Sequence, residues 1–153
     1  MADTYCQIYL HLVFAVKHRS RVLLPEWDSA LYKYMFGIID GKQNKAFIVN
    51  GCLDHVHILF SHNPSTLISD VVRDVKNNST NYLNRNIFRS KGFAWQEGYG
   101  IFSLSKKEVP RVYRYIQEQK EHHRSFNFRE EYVKMMEEED LLGPKKYTFD
   151  WFE

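Results

Sequence analysis

Cysteine is almost missing from this chain. Cys6 and Cys52 are the only two in 153 residues, which excludes a disulfide framework and a cysteine metal cluster. No apolar run is long enough to span a bilayer, and the N-terminus has no signal-peptide pattern. We therefore expect no membrane partner and a reducing, cytoplasmic setting. A strong charge of one sign is lacking too. Net charge is +2, so gross electrostatics do not announce a nucleic-acid binder. No internal repeat or low-complexity linker interrupts the chain, so residues 1–153 read as one domain.

Aromatic residues are plentiful, with 11 Phe, 10 Tyr and 3 Trp. Tyr and Trp carry polar edges that seek water or a partner, so some of these rings should be exposed. Charge is also locally uneven. Lys17, Arg19 and Arg21 cluster early, Lys106, Lys107, Arg111, Arg114, Lys120 and Arg124 crowd a later segment, and the acidic run 137–140 offsets them.

Residues 5–16 alternate, with Cys6, Ile8, Leu10, Leu12, Phe14 and Val16 on one face and Gln7, Tyr9 and His11 on the other, which predicts a half-buried strand. Pro25 opens a helix through about Asn44, with Trp27, Leu31, Tyr34, Met35 and Ile38 at helical spacing. Strands at 46–52 and 55–60 follow, joined by a turn at Leu53-Asp54. Pro64-Ser65 starts a helix with Leu67, Ile68, Val71, Val72 and Val75 facing inward. Residues 93–104 read as a strand disturbed at Gly98 and Gly100. A helix over 108–123 tolerates Pro110 only in its first turn. A short acidic helix and an aromatic tail, Tyr147 to Phe152, close the chain. This order predicts an α+β fold: a ferredoxin-like split βαβ sandwich, an antiparallel sheet with helices on one face.

His55-Val56-His57 is the first chemical feature. Residues two apart on a strand project from one face about 6–7 Å apart, so both imidazoles point the same way. They suit one shared divalent cation, or they stand at a sheet edge without metal. His122 and His123 are adjacent on a helix, diverge by about 100°, and cannot converge on one ion. Gln119 lies one helical turn after Tyr115, so phenol and amide share a face, whereas Tyr113 lies off it. Tyr115 is therefore a candidate nucleophile or a packing aromatic. A tyrosine is a poor nucleophile at neutral pH because its phenol titrates near 10, roughly. A cation on the attacked phosphate compensates, and attack leaves a covalent phosphotyrosine.

Three segments carry a resemblance. They are Asp54-His55-Val56-His57-Ile58-Leu59, Trp95-Gln96-Glu97-Gly98-Tyr99-Gly100-Ile101-Phe102-Ser103 and Tyr115-Ile116-Gln117-Glu118-Gln119-Lys120-Glu121-His122-His123. With Leu12-Val13-Phe14-Ala15-Val16-Lys17-His18-Arg19 they resemble the single-tyrosine HUH transposases, the IS200-like and REP-associated enzymes acting on single-stranded DNA. The match runs from about 5 to 133, and the tail 140–153 departs from it.

That resemblance implies Mg²⁺ or Mn²⁺ at His55, His57 and Gln119, with Tyr115 as nucleophile. It implies a 5′-phosphotyrosine, a free 3′-hydroxyl, hairpin-bearing element ends, and a homodimer with composite active sites. Basic residues beside aromatics suit a single strand with splayed bases, so Lys17, Arg19, Arg73, Lys76, Trp95 and Gln96 are the expected DNA contacts. Two alternatives stand beside this reading: a host-domesticated relative acting on genomic repeats, and a non-catalytic ferredoxin-like module that stacks bases on an open sheet face.

Overall fold

The computed structural model describes residues 4–122 and 127–138. His123, the side chain of His122 and the tail 140–153 lie outside the described residues. The elements are β1 (Tyr9–Ala15), α1 (Asp28–Gly41), β2 (Lys45–Cys52), β3 (His55–Ser61), α2 (Ile68–Asn86), β4 (Gly100–Leu104), α3 (Val109–Gln117), α4 (Gln119–His122) and α5 (Phe128–Glu138). The four strands form an antiparallel sheet in the order β2-β3-β1-β4. This is the expected split βαβ arrangement.

β1 is central, paired with β3 on one side and β4 on the other. Leu10, Leu12 and Phe14 join Val56, Ile58 and Phe60 of β3 in one apolar core. Leu31, Met35 and Ile39 of α1, with Val71, Val72, Val75 and Leu83 of α2, cover it. The opposite face is covered too. Val112 and Ile116 of α3 pack on Leu59, and Phe128, Tyr132 and Met136 of α5 pack on Val13, Ala15 and Phe102. β1 is thus buried on both faces rather than half-buried, and His11, expected on its outer face, is buried.

Other departures have local causes. β1 starts at Tyr9, and Val16 follows it only as an isolated bridge to Trp95. Tyr34 faces outward and stacks on Tyr82 with ring centroids 4.5 Å apart, and Leu67 precedes α2 and is exposed. The strand expected over 93–104 is regular only from Gly100, because Gly98 takes a left-handed φ of 85° just before it. A Cβ at Gly100 would come within 2.7 Å of the Tyr132 hydroxyl.

The helix expected over 108–123 breaks at Glu118 (φ −97°, ψ 18°) into α3 and α4. Asn50 of β2 marks the break. Its side-chain amide donates to the carbonyls of Ile116 (2.9 Å) and Gln117 (3.2 Å), satisfying helix-end acceptors that otherwise lack partners. Among the described residues no helix is long and apolar enough to cross a membrane.

A buried cluster around the histidine pair

The β2–β3 hairpin sets the site. A Cβ at Gly51 would run into the His55 carbonyl, so only glycine lets the two strands close tightly there. The Leu53-Asp54 turn places the Asp54 carboxylate 2.8 Å from His55 Nδ1. His55 and His57 then project from one face, as strand geometry requires, while Val56 and Ile58 enter the apolar core.

Asn50 and Cys52 pair with His57 and His55 across the hairpin. Asn50 ties down the end of α3, and the Cys52 thiol donates to the Gln119 carbonyl at 3.4 Å. Burial, aided by Glu131, pushes that thiol up to about 12, which excludes Cys52 as a thiolate nucleophile at neutral pH. These two anchors carry Tyr115 and Gln119 over the histidines. The Tyr115 ring lies edge-on to His57, centroids 5.9 Å apart. Tyr113, by contrast, is exposed.

Glu131 of α5 is the residue the sequence did not reveal. Its Oε1 is 3.1 Å from both His55 Nε2 and His57 Nε2. Its Oε2 accepts from the Tyr115 hydroxyl and, at 2.8 Å, from Gln119 Nε2. Gln119 Oε1 lies 3.1 Å from His55 Nε2. One carboxylate therefore touches every residue expected to act. His55, His57 and Gln119 have no exposed surface and Glu131 is 1% exposed, while Phe128 stacks on the His55 ring at 4.3 Å. No local pattern marks Glu131, which sits among the charged residues of α5.

Burial pulls the His55 imidazolium down, but hydrogen bonds to Asp54 and Glu131, with their charges, outweigh it and raise its pKa to about 9. His57 Nδ1 lies 2.8 Å from Nε2 of His11. Burial, reinforced by His57, holds His11 well below the usual imidazole range. His11 is thus a neutral partner whose tautomer accommodates either direction of that bond. With Nδ1 of His55 held by Asp54 and Nδ1 of His57 by His11, both Nε2 atoms face the same point. Ligating atoms of His55, His57 and Glu131 lie within 4.8 Å of one another. Two imidazoles, a carboxylate and an amide oxygen form a donor set that fits a divalent cation.

The expected DNA contacts divide. Lys17 is exposed and Arg19 half-buried. Arg73 is exposed but paired with Asp70 (3.0 Å) and Asp74 (3.4 Å). Trp95 is a correction: it is buried, its indole N–H donates to Ser79 Oγ at 2.9 Å, and it offers no stacking surface. Gln96 is buried beside it. Lys76 donates to the carbonyls of Gln96 (2.9 Å) and Gly98 (2.6 Å) and lies over the Phe14 ring. Burial lowers its pKa to about 8, and it braces the 96–98 loop.

The sequence model described as "Transposase IS200 like" matches residues 4–119. The chain belongs to that family. The match ends at Gln119, so it holds the histidine pair, Tyr115 and Gln119 but not Glu131. The ISDra2 transposase TnpA of Deinococcus radiodurans is 27% identical over 118 residues, covering 74% of this chain and 84% of the relative. A crystallised candidate transposase from D. radiodurans R1 shares the fold with a TM-score of 0.62 at 22% identity, over 78% of this chain and 95% of that one. A REP-associated tyrosine transposase bound to a REP hairpin shares it at 0.59 and 15% identity, over 80% and 73%. Membership of the IS200-like family makes this chain a DNA transposase, in keeping with the buried cluster.

Proposed function

We propose that this transposase cuts and rejoins single-stranded DNA through a phosphotyrosine on Tyr115, at a site where His55, His57, Gln119 and Glu131 hold Mg²⁺ or Mn²⁺. The observation carrying this reading is the convergence of Tyr115, Gln119 and both histidines on the Glu131 carboxylate. A bound cation supplies neutralisation of charge on the phosphate oxygens.

The chain's own residues do the rest. The Tyr115 oxygen bonds to phosphorus as the P–O3′ bond breaks, leaving a 5′-phosphotyrosine. The phenol proton passes to the carboxylate it already faces, and the departing 3′ oxygen takes up a solvent proton as a free hydroxyl. Asp54 and His11 fix the orientation of the two imidazoles. Because the cluster is buried, a strand gains access only when covering side chains such as Phe128, stacked on His55, swing aside while Glu131 stays on the histidines. Lys17 and Arg19 are proposed phosphate contacts, with Arg73 once it leaves its aspartates. Hairpin-bearing element ends are the proposed substrate.

The non-catalytic alternative needs an open aromatic sheet face. Here both faces are covered by helices, and the centre of one carries buried polar side chains.

The test is incubation with single-stranded DNA and Mn²⁺, followed by a denaturing gel. A metal-dependent protein–DNA adduct is expected, and its absence with strands carrying the element ends overturns the reading. A homodimer with composite sites is the second arrangement proposed, in which Tyr115 from the other copy takes the place that this chain's own Tyr115 holds beside His57 and Glu131. Mixing His57→Ala with Tyr115→Phe subunits decides between the arrangements. Composite sites leave one site of a mixed dimer intact and restore part of the activity, whereas sites within one chain restore none.

A further inference from the structure

The fold brings together two basic segments far apart in sequence. One is 17–21, with Lys17, Arg19 and Arg21; the other is 85–91, with Arg85, Arg89 and Lys91. Neither contains an acidic residue. Between them lies a cavity of about 350 Å³, walled by Lys17, His18 and Ser20 on one side and Phe88, Ser90 and Phe93 on the other. That size is in the range of small-ligand pockets, roughly 300–1,000 Å³.

Its chemistry is specific. The Phe88 and Phe93 rings lie nearly parallel, 10° apart in plane with centroids at 5.7 Å, and Trp27 braces Phe88 edge-on. Lys17 and His18, which line it, are exposed, as are Arg21, Arg85, Arg89 and Lys91 in the two segments that bound it. Phe88, half-buried, offers the aromatic surface, with Phe93 buried beside it in the core. An aromatic wall inside a rim of one charge matches a flat aromatic ring flanked by phosphates. It does not match an apolar peptide, which has no use for the cations, or a free anion, which has no use for the rings.

One backbone bond links the cavity's wall to the turn that carries Asp54. The Val16 amide donates to the Asp54 carbonyl at 2.8 Å, and the Lys17 amide to the Ala94 carbonyl at 3.0 Å. The pocket is thus tied to the residue that orients His55. His18 (φ 60°), which lines it, and Arg19 (φ 51°) and Arg89 (φ 50°), each next to a lining residue, take left-handed backbone conformations, a geometry that non-glycine residues keep only where their surroundings impose it.

We propose that this cavity takes one unpaired nucleobase of the single-stranded DNA, with its neighbouring phosphates held by Lys17, Arg89 and Lys91. The inference rests on the single-strand reading above and adds to it where the strand is gripped. Base stacking supplies sequence-tolerant affinity, and the rim supplies salt-dependent affinity.

The test uses the full chain and a short fluorescent oligothymidylate carrying one iodouracil. Irradiation should attach the base to peptides spanning 17–22 or 88–94. Ser90→Trp, which fills the cavity from an exposed position, should weaken binding about tenfold, as expected for losing one stacked base. Lys17→Glu with Arg89→Glu, both at exposed positions, should weaken it at least as much and flatten its salt dependence. Crosslinks only elsewhere, or unchanged affinity in both variants, would overturn the proposal. Its failure is separable from that of the cleavage reading. A Tyr115 adduct that forms without crosslinks in either segment removes the pocket alone, whereas crosslinks there without any adduct remove the cleavage reading and keep the pocket.

Discussion

On the α1–α2 face of the sheet, Leu12, Phe14, Ile58 and Phe60 are fully buried against aliphatic helix residues. On the α3–α5 face, His11, His55, His57, Gln119 and Glu131 are buried too but joined by hydrogen bonds. The first face is held by area removed from water, which is non-directional and tolerant. The second is held by matched donors and acceptors, where each partner removed strands another in low dielectric. On the proposed reading, stability and chemistry are therefore divided between the faces, and substitutions should separate them.

Phe60→Ala should have the largest effect on folding, a loss of about 3–5 kcal/mol in urea unfolding. A loss of under about 1 kcal/mol would break the assignment of the α1–α2 face as the main core.

Glu131→Gln probes the other face. His55 should shed its proton instead of standing charged beside one anion fewer, so the fold survives. Mn²⁺ affinity, followed by electron paramagnetic resonance of the free ion, should fall about tenfold or more, since even outer partners of metal ligands are worth that much. Unchanged affinity would remove Glu131 from the donor set.

Much of this contrast was legible in the sequence. Period-two alternation found β1, the Leu53-Asp54 turn separated β2 from β3, and the aliphatic spacing of α1 and α2 found the layer that covers them. The same alternation misassigned the second face of β1, because His11 reads as a solvent position until α5 covers it. Tyr115 and Gln119 were legible from their four-residue spacing, although the helix breaks between them at Glu118. Glu131 was not, because it meets the site only through packing of a separate helix whose sequence reads as solvated charge. Trp95 erred in the opposite direction, since composition alone does not tell a stacking platform from a core indole bonded to Ser79.

Acid–base behaviour gives a smaller effect on the polar face. In metal-free protein the His55 pKa stands at about 9, above its unfolded value of about 6.5. The stability it contributes is complete below about pH 6.5 and is lost as pH rises through about 9. Lys76, lowered to about 8, acts with opposite sign above that pH, so the clean window runs from about 6.5 to 8. Unfolding free energy should fall there by about 1–2 kcal/mol, and His55→Gln should flatten the slope. A slope unchanged in His55→Gln would assign it to another group.

The smallest change expected is in Trp95→Phe, which loses the bond to Ser79 and about 1 kcal/mol of stability. Single-strand affinity should stay at the wild-type level. A clear loss of affinity would return Trp95 to the DNA interface.

The most direct measurement is to digest the protein–DNA adduct and locate the nucleotide-bearing peptide by mass spectrometry, in wild type, Tyr113→Phe and Tyr115→Phe. The modification is predicted on Tyr115 in wild type and Tyr113→Phe, with no adduct in Tyr115→Phe because phenylalanine has no oxygen to attack phosphorus. A nucleotide on Tyr113, or an adduct that persists in Tyr115→Phe, would contradict the account.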